Sequence, residues 1–437
     1  MSTTISTAGP GGHPDPDPHL LTGPGGHPDP DLHLLTGPGD YSDPDLDLLT
    51  GPGAEQLLRT ALRPAGGELL AWRAVQVEHQ PGRRSTAAYR VRIRWPDGRV
   101  REERLAACTG RPPRGTMVLE DGTDRVAAWR FPYDPDLPAL RTAYDERAVA
   151  VLLRDLGLGD GGPVRLEVRA YRPRRRAVIE AIGGRHRLFL KVVRRDQVRD
   201  LHERHRLLVD SGLPVAPSLG YTPDGLLVLQ ALPGRTLRQA LHARQPPPPG
   251  RAVLAMLDRL PAELADGRPR RSWREKSPHY ASVLAAALPS VAEQARSLAE
   301  AIMCESGPEP GTVVHGDLYE GQLLVSGGRI CGLLDVDTAG PGERLDDLAC
   351  LLGHLSVLAQ MNGERAGTIL RAGAAYLAAF ERVVDPADLR YRTSAVVLSL
   401  ATGPHRVQER DWPTNTRARL DLATRWLDSA RRLRPPT

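Results

Sequence analysis

A chain of 437 residues, 41% hydrophobic and 25% charged, is too long for one compact domain at roughly 100–200 residues each, and too ordinary in composition to be fibrous, wholly disordered or membrane-spanning. Its net charge of +5 comes with only 4% aromatic residues and with arginines spread along the whole length, so no nucleic-acid partner is expected. No apolar run approaches the roughly 18 residues of a transmembrane helix and the N-terminus lacks a signal-peptide pattern, so no membrane partner and a cytoplasmic location are expected.

The chain opens on a 14-residue unit that recurs from Gly9, Gly23 and Gly37, with a fragment from Gly51. Each unit offers one Leu-Leu pair among prolines, which remove backbone donors and break helices and central strands. Residues 1–53 are therefore expected to be a disordered repeat tail. A short helix is expected over 54–69. Alternating runs from Val75 and Ala87 and a turn at 96–98 then have the period-two pattern of a β-meander. A helix over 140–156 completes a small β-rich unit, 54–160.

A second meander starts near Val164, passes through the basic turn 172–176 and the Gly183-Gly184 turn, and ends in LFLKVV. A helix over 196–209 and a strand over 226–232 complete a unit of 161–232. From 233 to 437 the pattern is mainly helical, with helices expected at 237–243, 252–265, 280–304, 345–361, 365–381 and 417–433. Cys108, Cys304, Cys331 and Cys350 stand singly, without metal or disulfide spacing, and are expected to be buried free thiols.

The chemistry-bearing stretch is Val313–Ala349. Two apolar runs flank 326–329 as a hairpin, with Asp317 before it and Asp335 near its end. Phosphoryl transfer needs this kind of arrangement, because the protein orients an attacking hydroxyl and holds magnesium against phosphates. Asp317 would take the hydroxyl proton or its hydrogen bond; Gln322 and Asp335 offer oxygen to a hard cation, and Asp337 lies within reach of a second ion. Upstream, Lys191 is the one lysine before position 276, kept on a strand in a region otherwise served by arginine.

These residues resemble those of the aminoglycoside phosphotransferase and choline kinase-like superfamily. HGDL from His315 is similar to its catalytic loop, LLDVDTAGPG from Leu333 to its magnesium-binding segment, and DDLA from Asp346 to the element after it. The resemblance spans residues 164 to 437. It implies an α+β, bilobal protein kinase-like fold with a β-rich N-lobe and a helical C-lobe, here preceded by the cap-like 54–160 unit and the tail.

It further implies ATP and Mg2+ as cofactors and a small-molecule hydroxyl as the second substrate, an antibiotic, a sugar or an amino alcohol. Catalytic roles fall to Asp317 and His315, and metal binding to Gln322, Asp335 and Asp337. Lys191 would hold the phosphates, paired with Glu203 on the following helix, and adenine would meet the backbone around Gln230 to Leu232. Asp347 would brace the catalytic loop. Gln322 replaces the usual Asn, a form also found in maltokinase-like members, so a maltokinase-like sugar kinase and a catalytically silent nucleotide-binding module stay open as alternatives. Residues 363–437 hold 13 arginines against 8 acidic residues, which gives no encouragement to a polycationic aminoglycoside. The oligomeric state is not legible.

Overall fold

The computed structural model describes residues 44–80, 83–121, 124–159, 162–184, 186–307 and 311–434. Helices α1 (Pro44–Thr50) and α2 (Gly53–Leu62) lead into a first sheet. Its strands are β1 (Glu68–Gln80), β2 (Arg84–Arg94), β3 (Val100–Cys108), β4 (Met117–Asp121) and β5 (Asp124–Arg130), in the order β1-β2-β3-β5-β4. Tyr89, Val91, Ile93, Leu105 and Ala107 alternate onto one face of it and bury Leu46, Leu49, Leu57 and Leu58 of the two helices. This is the period-two rule at work, a strand whose every second side chain meets a hydrophobic partner.

Two expectations change here. Most of the expected tail, 1–43, lies outside the described residues, but Pro44–Thr50 is a helix with Leu46 and Leu49 buried. The Tyr89 hydroxyl also donates to Leu49 O at 2.8 Å. The Leu-Leu pair of the last repeat thus finds a sheet to pack on. The helix after it stops at Leu62, before Pro64, and β1 begins at Glu68, because proline cannot continue a helical ladder.

Short helices α3 (Leu140–Ala143) and α4 (Glu146–Asp155) replace the single helix expected over 140–156. Asp145, whose carboxylate accepts from Ala148 N–H, caps the second and forces the break. The second sheet holds β6 (Val164–Arg172), β7 (Arg176–Gly183), β8 (His186–Val193), β9 (Ser218–Thr222) and β10 (Leu226–Gln230), ordered β6-β7-β8-β10-β9, with α5 (Val198–Asp210) between β8 and β9. Leu188, Leu190 and Val192 of β8 face α3 and α4, while Val193 faces α5. Lys191 therefore comes out on the α5 side.

Past β11 (Arg235–Thr236) the chain is helical: α6 (Leu237–His242), α7 (Gly250–Leu257), α8 (Trp273–Ala287), α9 (Ala292–Glu305), α10 (Arg344–Met361), α11 (Ala366–Phe380), α12 (Pro386–Leu400), α13 (Gly403–Arg406) and α14 (Trp412–Leu433). Two small ribbons interrupt it. Strand β12 (Gly311–Val314) pairs with β15 (Gly340–Glu343), and β13 (Leu323–Ser326) pairs with both β11 and β14 (Arg329–Leu333). The single helix expected over 280–304 is two, broken at Pro289. Helix α10 is buried almost all round at the centre of the largest hydrophobic cluster. Of the four thiols, Cys108 and Cys350 are buried, Cys304 is exposed and Cys331 half-buried, which corrects the expectation for two of them. Among the described residues no helix is long and apolar enough to cross a membrane. The result is a β-sheet lobe over a helical lobe, with the first sheet added ahead of them.

Candidate active site

The cleft between the second sheet and the helical lobe brings Lys191, Asp335 and Asp337 together. Lys191 Nζ lies 2.9 Å from Asp335 Oδ1 and also bonds Asp337 Oδ1. Arg176, first residue of β7, lies 3.0 Å from Asp335 and 3.7 Å from Asp337. Gln322 Nε2 is 3.4 Å from Asp335 Oδ2. Asp335 sits in the left-handed region at φ 53°, a conformation few non-glycine residues adopt and one that marks functional turns. Burial alone would discharge its carboxyl, but the Arg176 guanidinium and the Lys191 ammonium hold it well below the usual carboxylate range.

Glu203 does not join them. It is exposed and paired with Arg199 at 3.0 Å, because α5 turns Leu201, His205 and Leu208 inward and Glu203 outward. The helix presents one cation to Asp337 instead, Arg204, which donates to Asp337 O, while buried His205, its pKa lowered by burial to about 4, bonds Ala216 O at 2.7 Å. The expected Lys191–Glu203 pair is replaced by Lys191 with Asp335 and Asp337.

Asp317 is 2% exposed. Burial, with the Asp335 charge adding to it, pushes its carboxyl pKa up. The loop that carries it is tied down from behind. Asp347 accepts from His315 N–H and Gly316 N–H, both at 2.7 Å. His315, fully buried, places Nε2 2.9 Å from Leu334 O and accepts at Nδ1 from Asp317 N–H at 3.3 Å. Both ring nitrogens are thus engaged by backbone, which makes His315 a positioning residue rather than the catalytic one expected. Gly316, at φ 83°, passes so close to Arg270 and Thr338 O that a Cβ would lie 2.5 and 2.8 Å from them, so only glycine fits there.

Gln230 N–H and Ala231 N–H donate to Pro217 O and Arg187 O within the sheet, which leaves Leu232, half-buried against the α5 cluster, as the residue that follows them. The β6–β7 turn is fixed from the first sheet's side. Asp134 accepts from Arg174 N–H at 2.7 Å and from the Tyr171 hydroxyl at 2.8 Å. Arg174 Nε donates to Asp136 at 2.7 Å, and Arg175 pairs with Glu78 of β1 at 2.5 Å. Arg176 and Asp134 escaped sequence reasoning: the first is one of four arginines among the five turn positions 172–176, and nothing local tells the second from a turn-capping aspartate. The other lysine, Lys276, is buried 4.6 Å from the Trp273 ring, and burial lowers its pKa to about 8.

A closed metal cage is not part of this site: among the described residues no cluster of three or more His, Cys, Asp or Glu side chains forms one. Asp335 and the Gln322 amide do make a partial set of hard oxygen donors. Magnesium needs no more, since it is usually held by one or two carboxylates and completed by phosphate and water.

The family model described as "Phosphotransferase enzyme family" matches residues 170–390, just over half of the chain. No curated protein matches. Among solved structures, the chain is similar to a thermostable mutant of an aminoglycoside phosphotransferase in ternary complex with ADP and hygromycin B, at 16% identity, 63% of this chain, 97% of that chain and a TM-score of 0.43. It is also similar to a choline/ethanolamine kinase family protein from Mesorhizobium loti (18% identity, 60% and 88% covered, TM-score 0.40). A macrolide 2'-phosphotransferase from Brachybacterium faecium is similar at 22% identity, with 66% and 99% covered and a TM-score of 0.39.

Proposed function

The chain belongs to the phosphotransferase enzyme family, and from that premise we propose that it transfers the γ-phosphoryl group of ATP to a hydroxyl of a small molecule. The observation that carries this reading is the meeting of Lys191 and Arg176 with Asp335, beside Gln322 and the Asp317 loop. Without nucleotide, the two cations rest on Asp335. A triphosphate carries more negative charge than the single Asp335 carboxylate and offers several acceptor oxygens to Lys191 and Arg176, so it takes over the cations and frees the Asp335 carboxylate. Asp335 and Gln322 would hold magnesium, with Asp337 beside them, and that ion supplies neutralisation of phosphate charge.

Asp317 accepts the hydrogen bond of the acceptor hydroxyl. The hydroxyl oxygen forms a bond to Pγ, the bond from Pγ to the β-phosphate oxygen breaks, ADP leaves, and the hydroxyl proton passes to Asp317. A carboxyl pushed up by burial holds that proton more readily than an exposed one. His315, Asp347 and Gly316 keep the loop in shape. Adenine would lie along the strand after β10, with backbone around Gln230 to Leu232 as its partners.

A catalytically silent nucleotide-binding module is the second reading, and the outward turn of Glu203 favours it, because active kinases brace the lysine with a helix carboxylate. Turnover separates the two. With ATP, magnesium and a broad panel of hydroxyl compounds, the wild type should release ADP in proportion to acceptor, and Asp317→Asn should lower kcat by about 10²- to 10⁴-fold while still binding ATP. The wild-type rate should fall on the acid side at a pH above the ordinary carboxylate value of about 3.9, since protonated Asp317 cannot accept. ATP binding with no turnover on any acceptor would select the silent module.

A further inference from the structure

On the face of the first sheet turned away from α1 and α2, three arginines stand in a row. Arg73 of β1 is directly opposite Arg90 of β2, and Arg90 is directly opposite Arg104 of β3. They share that face because their chain neighbours Trp72, Tyr89, Val91 and Leu105 pack on the helix side. Side chains opposed in this way have Cβ atoms only about 5 Å apart, and like charges there are destabilising. Elsewhere along the same face such a cation meets an acid: Glu68 opposes Arg94 and bonds it at 2.6 Å. Among the described residues no carboxylate pairs with Arg73, Arg90 or Arg104.

A cavity of about 480 Å³ opens at the β3 end of this row, with Arg90, Arg104, Phe131, Pro132 and Tyr144 in its lining. Two further arginines on its wall are already matched, Arg101 with Asp97 at 3.8 Å and Arg130 with Glu103 at 2.7 Å. The other carboxylate of the lining, Glu102, is exposed and opposes Arg92. Arg104 is half-buried, its guanidinium 5.7 Å from the centroid of the Phe131 ring. Burial lowers its pKa, and the Arg90 charge adds to that. A guanidinium resting on an aromatic face keeps its N–H edges for an acceptor. The rest of the lining is apolar: Tyr144, 43% exposed, meets Phe131 edge-on at 4.8 Å between centroids, with Pro132 beside them.

We propose that this cavity binds a small phosphate monoester, its phosphate bridging Arg90 and Arg104 and its organic part resting on Tyr144 and Pro132. An anion there turns a repulsion across the ladder into two charge-assisted contacts, and phosphate matches the guanidinium fork. The volume falls within the roughly 300–1,000 Å³ of small-molecule sites, more than a bare phosphate ion fills. The site is distinct from the cleft, since none of its lining residues is among those gathered around Asp335. It stands whether or not the cleft transfers phosphate. Phe131 also meets Tyr171 of β6, ring centroids 5.0 Å apart, so the cavity adjoins the strand that leads into the turn over the cleft.

The test is calorimetric titration of the full chain with phenyl phosphate, inorganic phosphate, benzoate and phenol. Phenyl phosphate should bind one site per chain, about 3- to 10-fold more tightly than inorganic phosphate, the worth of one ring contact. Benzoate should bind more weakly than phenyl phosphate, and phenol weakest of all. Arg90→Gln and Arg104→Gln should each weaken phenyl phosphate by about 10-fold or more, the worth of a charge-assisted hydrogen bond. Arg90 is exposed, so Arg90→Gln keeps the test intact if Arg104→Gln fails to fold. Lys191→Ala, which removes a cation from the cleft, should leave phenyl phosphate binding within about threefold.

Inorganic phosphate, benzoate or phenol bound as tightly as phenyl phosphate would overturn this site, as would binding kept in both arginine variants and lost in Lys191→Ala. Oligothymidylate that binds with a steep salt dependence while phenyl phosphate does not would overturn it in favour of a nucleic-acid surface.

Discussion

The first sheet, β1 to β5, and the second, β6 to β10, run antiparallel in the same strand order, yet it is the second that meets Asp335 and Asp337, through Lys191 and Arg176. Leu105 opposes Arg130, the last residue of β5, and Leu188 opposes Gln230, the last of β10. Three residues along the third strand of each sheet, the first has Cys108 and the second Lys191. Cys108 is fully buried beside Ala106, Ala127 and Trp129, and its nearest polar partner is Arg174 at 3.6 Å. After β8 the chain makes α5, whereas after β3 residues 109–116 contain no helix. The same topology thus serves two ends: one sheet presents a cation to a cleft, and the other presents an apolar face to the turn that overhangs that cleft. Topology sets where a side chain comes out, and the residue there decides the chemistry.

Exchanging side chains at the paired positions breaks this comparison most sharply. Lys191→Ala should lower kcat/KM for ATP by about 100-fold or more, the usual cost of losing one well-placed charge in a transfer site. Cys108→Ala should leave it within about threefold. A large loss at Cys108 would mean that the first sheet takes a direct part in catalysis.

The smaller effect concerns stability. Leu49, fully buried under the first sheet, should cost about 2–5 kcal/mol when changed to Ala, read as a lowered Tm. Deleting residues 1–53, which removes Leu46 and Leu49 together, should lower Tm at least as much. An unchanged melting curve would show α1 to be dispensable to the sheet it covers.

Much of the second sheet and its site could be read in advance because the signals were local. Lys191 stands alone among arginines in an alternating strand, and the spacing of Asp317, Gln322 and Asp335 reflects a hairpin that returns to its start. Glu203 was misplaced because a motif distance does not fix helical phase. Leu201, His205 and Leu208 lie three and four residues apart and define the inner face of α5, which puts Glu203 on the other side. Helix α12 went unread because it is buried on every side and lacks an amphipathic stripe. Asp385 at its N-cap and Pro386 after it were its only local marks. Strands β4 and β5 are short, and their pairing becomes clear only through β3. The Asp134 contacts with Tyr171 and Arg174 are tertiary, joining residues 37 or more positions apart, and no short window of sequence contains both partners.

The most direct measurement is a crystal structure of the full chain with magnesium and a non-hydrolysable ATP analogue. The expected result is a single nucleotide between the second sheet and the helical lobe, with phosphate oxygens on Lys191 and Arg176 and Asp335 released from both. A nucleotide seated against the first sheet, or Lys191 still bonded to Asp335 with the triphosphate bound elsewhere, would contradict it.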